Sequence, residues 1–392
     1  MVWFPPAYRQ KETGVSSKGG WARRRVSSAS LCCAQTDMKL VLDAMGGDLA
    51  PQINVDGAIM AAKAFSDVTI ILAGPEQTVR AAIETSSKKE DFESVKDRIE
   101  FLDAPEVISP EEHPVMALRK KTKSSFVLGM DLVRNGGADG FISAGSTGAL
   151  MAGAMFKLGR IKGIDRPALC AVIPVPDRPM LLADSGANVD CKPAWILQFA
   201  MMGSVYMNKV MKVSAPEVGL LNIGVEEAKG NEQTKEAYQL MKETNTFKFV
   251  GNIEARDALY GKCDVLAADG FAGNVLIKDT EGTISLLLHL IKDGLMSSLF
   301  GKIAGLLAKK TFKEIKKTFD TSEIGGAPLL GVEGAVIKAH GNSDARAMFC
   351  AIRQARELVT SGVVETIREG VAEMRAAQAT EAEASEKQEE EK

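Results

Sequence analysis

Short apolar runs alternate with amphipathic stretches along most of the chain. The run at 39–43 is rich in β-forming residues and leads into a Met-Gly-Gly-Asp turn, which is typical of a buried strand. A helical pattern follows at 53–65, and a second apolar run at 68–74 precedes a predicted helix at 75–83. Further strands are predicted at 99–102, 140–143, 168–173, 180–184, 218–223, 247–250 and 264–268. Further helices are predicted at 124–135, 147–158, 193–207 and 345–374, and a long helical region at 275–319.

This alternation predicts the fold class. Nearly continuous apolar strands between amphipathic helices indicate a mainly parallel sheet with helices on both faces. We therefore expect an α/β fold, a doubly wound sheet with an amphipathic helical excursion at about 275–320. The α/β domain is predicted to span 38–375, and one large domain fits the pattern as well as two lobes do.

Both ends of the chain differ in composition from this α/β body. Residues 1–37 hold six basic residues against two acidic ones and show no apolar periodicity, so we expect a disordered extension. An organelle transit peptide or a misassigned start upstream of Met38 would each give this pattern. Residues 376–392 hold six glutamates and two lysines and are expected to form an acidic helical tail that frays into disorder.

Composition narrows the range of functions. The chain has 48 basic and 51 acidic residues, a net charge of -3, and only 6% aromatic residues, so nucleic-acid binding is disfavoured. Six cysteines without paired spacing and three scattered histidines indicate neither a disulfide framework nor a metal centre. We accordingly predict no cofactor and no metal site.

The most informative loop lies between the predicted strand at 140–143 and the following helix. Open α/β sheets bind ligands beyond the carboxyl ends of their strands, where loops meet helix N-termini. Glycines permit close approach of the backbone to a ligand, and hydroxyl and N–H groups suit an anion such as phosphate. A tight turn with a Ser or Thr cap explains the same pattern, and neither nucleotide-binding glycine motif is present. The candidate ligands are Gly145, Ser146, Thr147 and Gly148.

Other strand-end loops supply further candidates. Asp43, Gly46 and Gly47 follow the first strand, where the carboxylate could orient a ligand or bind Mg²⁺, although Asp is also a common turn former. Lys229 follows the strand at 218–223 and could neutralise a phosphate or an oxyanion. Asn274 follows the strand at 264–268, either as a helix cap or as an amide donor to substrate. The remaining candidates in polar segments of this kind are Asn188, Asn231, Asp269 and His340.

A basic run lies near the same predicted edge of the sheet and consists of Arg119, Lys120, Lys121 and Lys123. Four cations within five residues suit an anionic ligand or an acidic protein partner. A solvated helix face is the alternative interpretation.

Taken together, six ordered segments resemble the bacterial phosphate acyltransferase family of phospholipid synthesis (PlsX). They lie at 43–48, 142–150, 159–168, 186–190, 229–232 and 269–274, and the resemblance extends from Met38 to about Val371. Any single loop would be weak evidence, whereas six loops in order make chance similarity improbable. The family usually has Asn at the position of Ser146, where the hydroxyl of this chain can still contact phosphate.

The resemblance implies transfer of a long-chain fatty acyl group from an acyl carrier protein thioester to inorganic phosphate. The product, acyl phosphate, would serve a downstream glycerol-3-phosphate acyltransferase. A homodimer and a fold like those of phosphotransacetylases and isopropylmalate dehydrogenases are also implied. Within the matched motifs, Lys229 and Asn274 are the expected catalytic residues, the other loop candidates are expected to bind substrate phosphate, and the basic run is expected to dock the carrier protein.

Two apolar segments, at 284–291 and 295–307, are too short to span a membrane because charged residues interrupt them. Lysines follow at 309–317, so the region suits contact with an anionic bilayer, as the resembled family makes through a helical pair. We expect a cytoplasmic protein that associates reversibly with the inner face of the membrane through about 284–317. Packing in a dimer interface is the alternative for the same apolar surface.

Three other functions fit parts of the sequence. A phosphotransacetylase that acts on small acyl-CoA would use the same anion-binding loops. A nicotinamide-dependent dehydrogenase of related architecture is disfavoured because the dinucleotide glycine motif is missing. A non-catalytic membrane scaffold for lipid-synthesis enzymes would use only the amphipathic helices and the basic run.

Overall fold

The computed structural model of the chain describes residues 38–175, 178–318 and 323–390. The predicted disordered extension at 1–37 therefore lies outside the described residues. Across the described ranges the strands are β1 (Met38–Asp43), β2 (Val68–Gly74), β3 (Ile99–Asp103), β4 (Gly140–Ser143), β5 (Ala168–Ile173), β6 (Met180–Ala183), β7 (Glu217–Asn222), β8 (Lys248–Glu254), β9 (Val265–Ala267), β10 (Ala327–Leu330) and β11 (Ala335–Lys338).

Helices separate most of these strands, and a 3₁₀ turn at Lys96–Arg98 and a π-helical turn at Ala154–Leu158 complete the elements. The helices are α1 (Gln52–Ala64), α2 (Glu76–Thr85), α3 (Lys89–Glu93), α4 (Pro114–Lys120), α5 (Ser125–Arg134), α6 (Thr147–Gly153), α7 (Pro193–Lys209), α8 (Glu232–Glu243), α9 (Ala255–Ala258), α10 (Gly270–Met296), α11 (Leu299–Leu307), α12 (Lys309–Thr318), α13 (Ala345–Thr360) and α14 (Val363–Glu390).

The strands form a single sheet in the order β3-β2-β1-β4-β11-β10-β5-β6-β9-β7-β8. Pairs on either side of the centre are parallel, whereas β11 with β10, β10 with β5, and β5 with β6 are antiparallel. The predicted α/β class with a mainly parallel sheet is confirmed. The antiparallel centre was not predicted, because the apolar runs of β10 and β11 are only four residues each and were not recognised as strands.

The register of this antiparallel centre places the carboxyl ends of two oppositely directed strands at one level of the sheet. Ala183, the last residue of β6, pairs with Cys170, whose neighbour Leu169 pairs with Leu329 of β10. One residue back along β10, Pro328 pairs with Ile337 near the end of β11. The carboxyl ends of β6 and β11 therefore lie at the same level, although the two strands run in opposite directions.

Helices cover both faces of the sheet, as expected from the pattern. Alternate side chains of β1 enter different cores, with Leu40 and Leu42 on one face and Val41 on the other. The first core also holds buried residues of α1, α7 and α13, and the second holds those of α5 and α6. Because period-two alternation sends neighbouring residues to opposite faces, a strand buried on both sides is apolar throughout.

The helical region predicted at 275–319 consists of three helices in the described part of the chain. α10 begins earlier, at Gly270, and ends at Met296, where α11 and then α12 follow. Only Gly270 and Gly273 of α10 are buried, and α11 has no buried residue. None of the described helices combines the length and the apolar character needed to cross a membrane.

The last helical region also divides. A turn with Gly362 at a φ of +66° separates α13 from α14. The backbone of α14 continues to Glu390, while the disorder expected at the end of 376–392 stays a prediction.

The first turn of α10 makes the closest approach to the rest of the fold. A Cβ added at Gly273 would lie 2.0 Å from the carbonyl oxygen of Asp184, whereas one added at Gly282 on the same helix would meet nothing within 4 Å. Gly273→Ala is expected to lower the free energy of unfolding by roughly 2–3 kcal/mol, because backbone must move to admit the methyl group. Gly282→Ala is expected to raise it by up to about 1 kcal/mol through helix propensity.

Urea unfolding of the two variants measures both effects on one helix. Equal stabilities for the two variants would contradict the close packing of α10 on the loop after β6.

Candidate active site

A cleft of about 330 Å³ lies where the two halves of the sheet meet. Its walls come from the start of α6, the loop after β6, the end of β11, parts of β5 and β10, and the first turns of α10. This volume is within the usual range for a small-molecule site. The lining residues are Thr147, Leu169, Ala171, Val172, Ser185, Gly186, Asn274, Ile277, Lys278, Glu281, Ile324, Gly326, Ala327, Lys338, Ala339 and His340.

Asp43 anchors the loop after β1 rather than lining this cleft. Its buried carboxylate accepts hydrogen bonds from the hydroxyls of Ser125 and Ser143, both at 2.7 Å, and from the N–H of Met45 at 3.2 Å. Burial raises the pKa of Asp43, and the two hydroxyls act against that rise. The Ser143 hydroxyl in turn accepts from the N–H of Gly145, so Asp43 fixes the β4 loop.

Two glycines allow the loops after β1, β4 and β11 to meet. A Cβ at Gly46 would lie 2.5 Å from Oδ2 of Asp43 and 2.7 Å from the N of Gly145. Gly47 has a φ of +100°, and a Cβ there would lie 3.0 Å from the carbonyl oxygen of Gly341. Both predicted residues therefore shape the site through close backbone contact.

The predicted ligands in the loop after β4 have different roles in the structure. Ser146 is the N-cap of α6, where its hydroxyl accepts from the N–H of Ala149 at 3.3 Å. Thr147 lines the cleft, and Gly148 packs against Pro114 at the start of α4. The Ser cap, the alternative interpretation of this loop, is thus present in the structure.

Asp184 anchors the loop after β6 in the same way as Asp43 anchors the loop after β1. One carboxylate oxygen accepts from the N–H groups of Leu169 and Ser185, both at 2.9 Å. The other accepts from the backbone and side-chain N–H groups of Asn188, at 2.6 and 3.1 Å. Burial raises the pKa of Asp184 to about 6, against the opposing effect of these donors. Asn188, a predicted ligand, is buried and positions this loop.

Asn274 lies in the second turn of α10 and faces the cleft. Gly186 has a φ of +137°, and a Cβ there would lie 3.3 Å from Cγ of Asn274, so glycine leaves space for this amide. Asp269 is the N-cap of α10 and accepts from the N–H of Ala272 at 2.8 Å. The Asn274 side chain is thus exposed to the cleft, while capping is performed by Asp269.

Lys229 and Asn231 lie on the loop between β7 and α8. Asn231 caps α8 by accepting from the N–H of Thr234 at 2.8 Å. Lys229 is exposed, and its side chain does not line the cleft in this conformation. β7 pairs with β9, the strand that precedes Asn274, so the Lys229 loop follows the strand next to the cleft.

Lys338 begins the polar segment that holds the predicted ligand His340, but Lys338 itself is not among the predicted ligands. It ends β11, lines the cleft and donates hydrogen bonds to the carbonyl oxygens of Ala144, at 3.4 Å, and Ala339. Desolvation lowers its pKa to about 8, although the carboxylates of Asp43 and Asp48 oppose this shift. The signal was a lysine directly after the apolar run of β11, the position where a strand end presents ligands.

His340 lies two residues further, at the mouth of the cleft. Desolvation lowers its pKa, Glu281 raises it, and the nearby lysines Lys338 and Lys278 lower it further. The neutral imidazole is therefore the favoured form near pH 7.

The basic run surrounds the end of α4, which packs on α6 beside the cleft. Arg119, Lys120 and Lys123 are exposed. Lys121 instead donates to Glu112 and to the carbonyl oxygen of Val107, both at 2.6 Å, and it holds the pKa of Glu112 below its usual range. Three of the four predicted docking cations are thus available on the surface.

Solved structures with a similar arrangement define the class of fold. A phosphotransacetylase from Streptococcus pyogenes aligns with a TM-score of 0.54 at 18% identity, over 84% of this chain and 94% of that one. EutD phosphotransacetylase from Staphylococcus aureus aligns with a TM-score of 0.50 at 16% identity, over 86% of this chain and 95% of that one. The chain therefore has the phosphotransacetylase fold, as expected.

Sequence comparison identifies the family. The model of the family described as fatty acid synthesis protein matches residues 38–366. A phosphate acyltransferase from Clostridium botulinum is 48% identical over 330 residues, which cover 84% of this chain and 96% of that protein. One from Clostridium novyi is 46% identical over 331 residues, with 84% and 98% coverage. The chain belongs to the phosphate acyltransferase family and is an acyltransferase.

The Asp184 anchor generates a stability prediction. Asp184→Asn is expected to lower the free energy of unfolding by about 1–3 kcal/mol, because an amide N–H₂ replaces an acceptor that faces N–H donors. Asp190→Asn, at an exposed position of the same loop, is the matched control and is expected to change stability by less than about 0.5 kcal/mol. Urea unfolding measures both, and an unchanged Asp184→Asn variant would contradict the assignment of Asp184 as an acceptor-only anchor.

Proposed function

We propose that the chain transfers a long-chain fatty acyl group from an acyl carrier protein thioester to inorganic phosphate. The acyl phosphate product would then serve a downstream glycerol-3-phosphate acyltransferase. Family membership supports acyl transfer to phosphate. The polar and apolar residues that line the cleft suit the binding of phosphate and of an acyl chain.

The observation that carries the proposal is the mixed lining of the cleft. Thr147, Asn274 and Lys338 supply hydrogen-bond donors and a cation. Apolar residues that also line the cleft include Leu169, Val172, Ile277 and Ile324. This lining suits a phosphate together with the first carbons of an acyl chain, which must lie next to each other for transfer.

The reaction itself needs little acid–base chemistry. A phosphate oxygen attacks the thioester carbonyl carbon, the tetrahedral intermediate collapses, and the carbon–sulfur bond breaks to release the thiolate. Thiolate is a good leaving group, with a free thiol pKa near 8.5, so a Ser-His-Asp triad is not required. We propose that Asn274 donates to the developing oxyanion and that Lys229 is carried to the thioester by movement of its loop.

The carrier protein is proposed to dock beside α4. Exposed Arg119, Lys120 and Lys123 form a cationic surface, and Pro114 at the other end of this helix packs against Gly148 beside the cleft. An acidic carrier bound there would lie close to the entrance, so its acyl-bearing arm could reach inward.

The decisive test measures thiol release from a long-chain acyl carrier protein with and without inorganic phosphate, while hydroxylamine traps acyl phosphate. Asn274→Ala and Lys229→Ala are each expected to lower kcat by roughly 100-fold, because a donor to the oxyanion or phosphate is lost. Lys235→Ala, an exposed lysine on α8, is the control and is expected to leave kcat unchanged. Full turnover by Lys229→Ala would remove Lys229 from the mechanism.

Parallel reactions with acyl-CoA separate the alternatives. Turnover of short acyl-CoA alone would identify a phosphotransacetylase. Absence of turnover with either thioester in a folded sample would favour a non-catalytic scaffold.

We propose further that α10 and α11 attach the enzyme reversibly to the cytoplasmic face of an anionic membrane. α11 exposes Leu299, Phe300, Ile303, Leu306 and Leu307, each with more than half of its surface accessible. Lysines of α12 follow directly and supply a cationic flank for anionic headgroups.

Sedimentation with vesicles rich in phosphatidylglycerol at low salt tests this attachment. Phe300→Glu is expected to lower the partition coefficient roughly tenfold or more, because a large apolar side chain leaves the bilayer and a charge replaces it. Tyr260→Glu is a matched control, since Tyr260 follows α9, outside α10 to α12, and is 78% exposed, whereas Phe300 is 86% exposed. If the protein is a dimer and does not sediment with vesicles, the apolar surface is instead a contact with a second copy of the chain, as in the homodimer alternative.

A further inference from the structure

We propose that the ammonium group of Lys338 binds the reacting phosphate and holds it in the cleft. This inference rests on the proposed function and adds the residue that supplies the positive charge inside the cleft. It assigns a direct contact with substrate to a residue outside the six segments that carry the family resemblance.

The position of Lys338 directs its charge into the cleft. The residue ends β11, next to β4, and its backbone pairs with Ser143 in the parallel ladder. The half-buried ammonium donates to the carbonyl oxygens of Ala144 and Ala339. An ammonium group has three N–H donors, so these two bonds leave one for a ligand in the cleft that Lys338 lines.

The other charged groups around Lys338 either have hydrogen-bond or ion-pair partners or are more exposed to solvent than Lys338. Asp43 is held by two serine hydroxyls, and Asp48 lies on the loop after β1. From α10, exposed Lys278 is 3.7 Å from Glu281, and both face the cleft near His340. Lys338 is therefore the more buried of the two lysines that line the cleft in the described part of the chain, and its charge is screened least by water.

Lys338 would act on phosphate without forming a covalent bond to it. The ammonium offsets the repulsion between the phosphate dianion and nearby carboxylates, and it holds a phosphate oxygen close to the thioester carbonyl. When that oxygen bonds to the carbonyl carbon, the carbon–sulfur electron pair leaves with the thiolate, and Lys338 keeps its proton. The expected effect is on phosphate binding first and on turnover at saturating phosphate second.

The lowered pKa of Lys338 gives this contact a pH dependence. Below about pH 8 the amine is protonated and can bind phosphate, whereas higher pH removes the charge. Phosphate is already the dianion in this range, so its own titration does not account for the change. The KM for phosphate of the natural enzyme is therefore expected to rise between about pH 8 and pH 9.5.

The test measures the KM for inorganic phosphate and, separately, the calorimetric binding of phosphate in the absence of thioester. Lys338→Met is expected to raise the KM and the dissociation constant for phosphate by roughly 10- to 100-fold, since a charge-assisted hydrogen bond is lost. The KM for the acyl thioester should change by less than about threefold. Lys338→Arg keeps a charge that does not titrate, so its KM for phosphate should stay level from pH 8 to pH 9.5.

Lys39→Met is the matched control, because Lys39 is a strand lysine at the opposite end of β1 and pairs with Glu100 on the surface. Lys39→Met should leave the KM and the dissociation constant for phosphate unchanged, and also the KM for the acyl thioester. A purely structural role for Lys338 would alter both substrates' constants together and leave the pH dependence of phosphate binding in place, which would overturn the inference.

The outcomes for the two proposals are separable. If the natural enzyme neither binds phosphate nor shows phosphate-dependent thiol release, the proposed function fails. If the natural enzyme does both and Lys338→Met binds phosphate as well as the natural enzyme does, only the role of Lys338 is overturned.

Discussion

The reversal of strand direction at the centre of the sheet is the constraint on which the site depends. Ligands of open α/β sheets bind where strands end, and a purely parallel sheet offers one such edge. Here the antiparallel pairs among β11, β10, β5 and β6 place Ala183 and Ile337 at the same level. Groups that follow strands of opposite direction, Asn274 after β9 and Lys338 at the end of β11, consequently line one cleft.

Two buried carboxylates give the loops around this cleft their shape. Asp43 and Asp184 each end a strand or follow one directly, and each accepts hydrogen bonds from hydroxyl or N–H groups of the loops nearby. Burying an ionised carboxylate is costly unless such donors replace water. These two buried carboxylates thus lie around the cleft rather than in it, where they orient other groups.

α10 links the chemistry to the exposed apolar surface. Its first turns contribute Asn274 and Ile277 to the cleft, whereas its later turns leave the body of the protein with Leu286, Leu287 and Leu290 exposed. At 1.5 Å per residue, a helix of 27 residues extends for about 40 Å. A single rigid element therefore joins the cleft to the surface that we propose contacts the membrane.

The sequence by itself determined the α/β class, most strand and helix positions and the family, because buried strands and glycine-rich strand-end loops leave local signals at fixed places. Local signals also placed Asn274 at the start of a helix. The tertiary structure alone decided what each polar residue does: Ser146, Asp269 and Asn231 cap helices, and Lys121 pairs with Glu112. It also revealed Lys338, whose strand is too short to recognise and whose buried charge depends on β1 and β4, more than 190 residues away in the chain. Contacts of that separation arise from sheet pairing, which a single sequence does not encode locally.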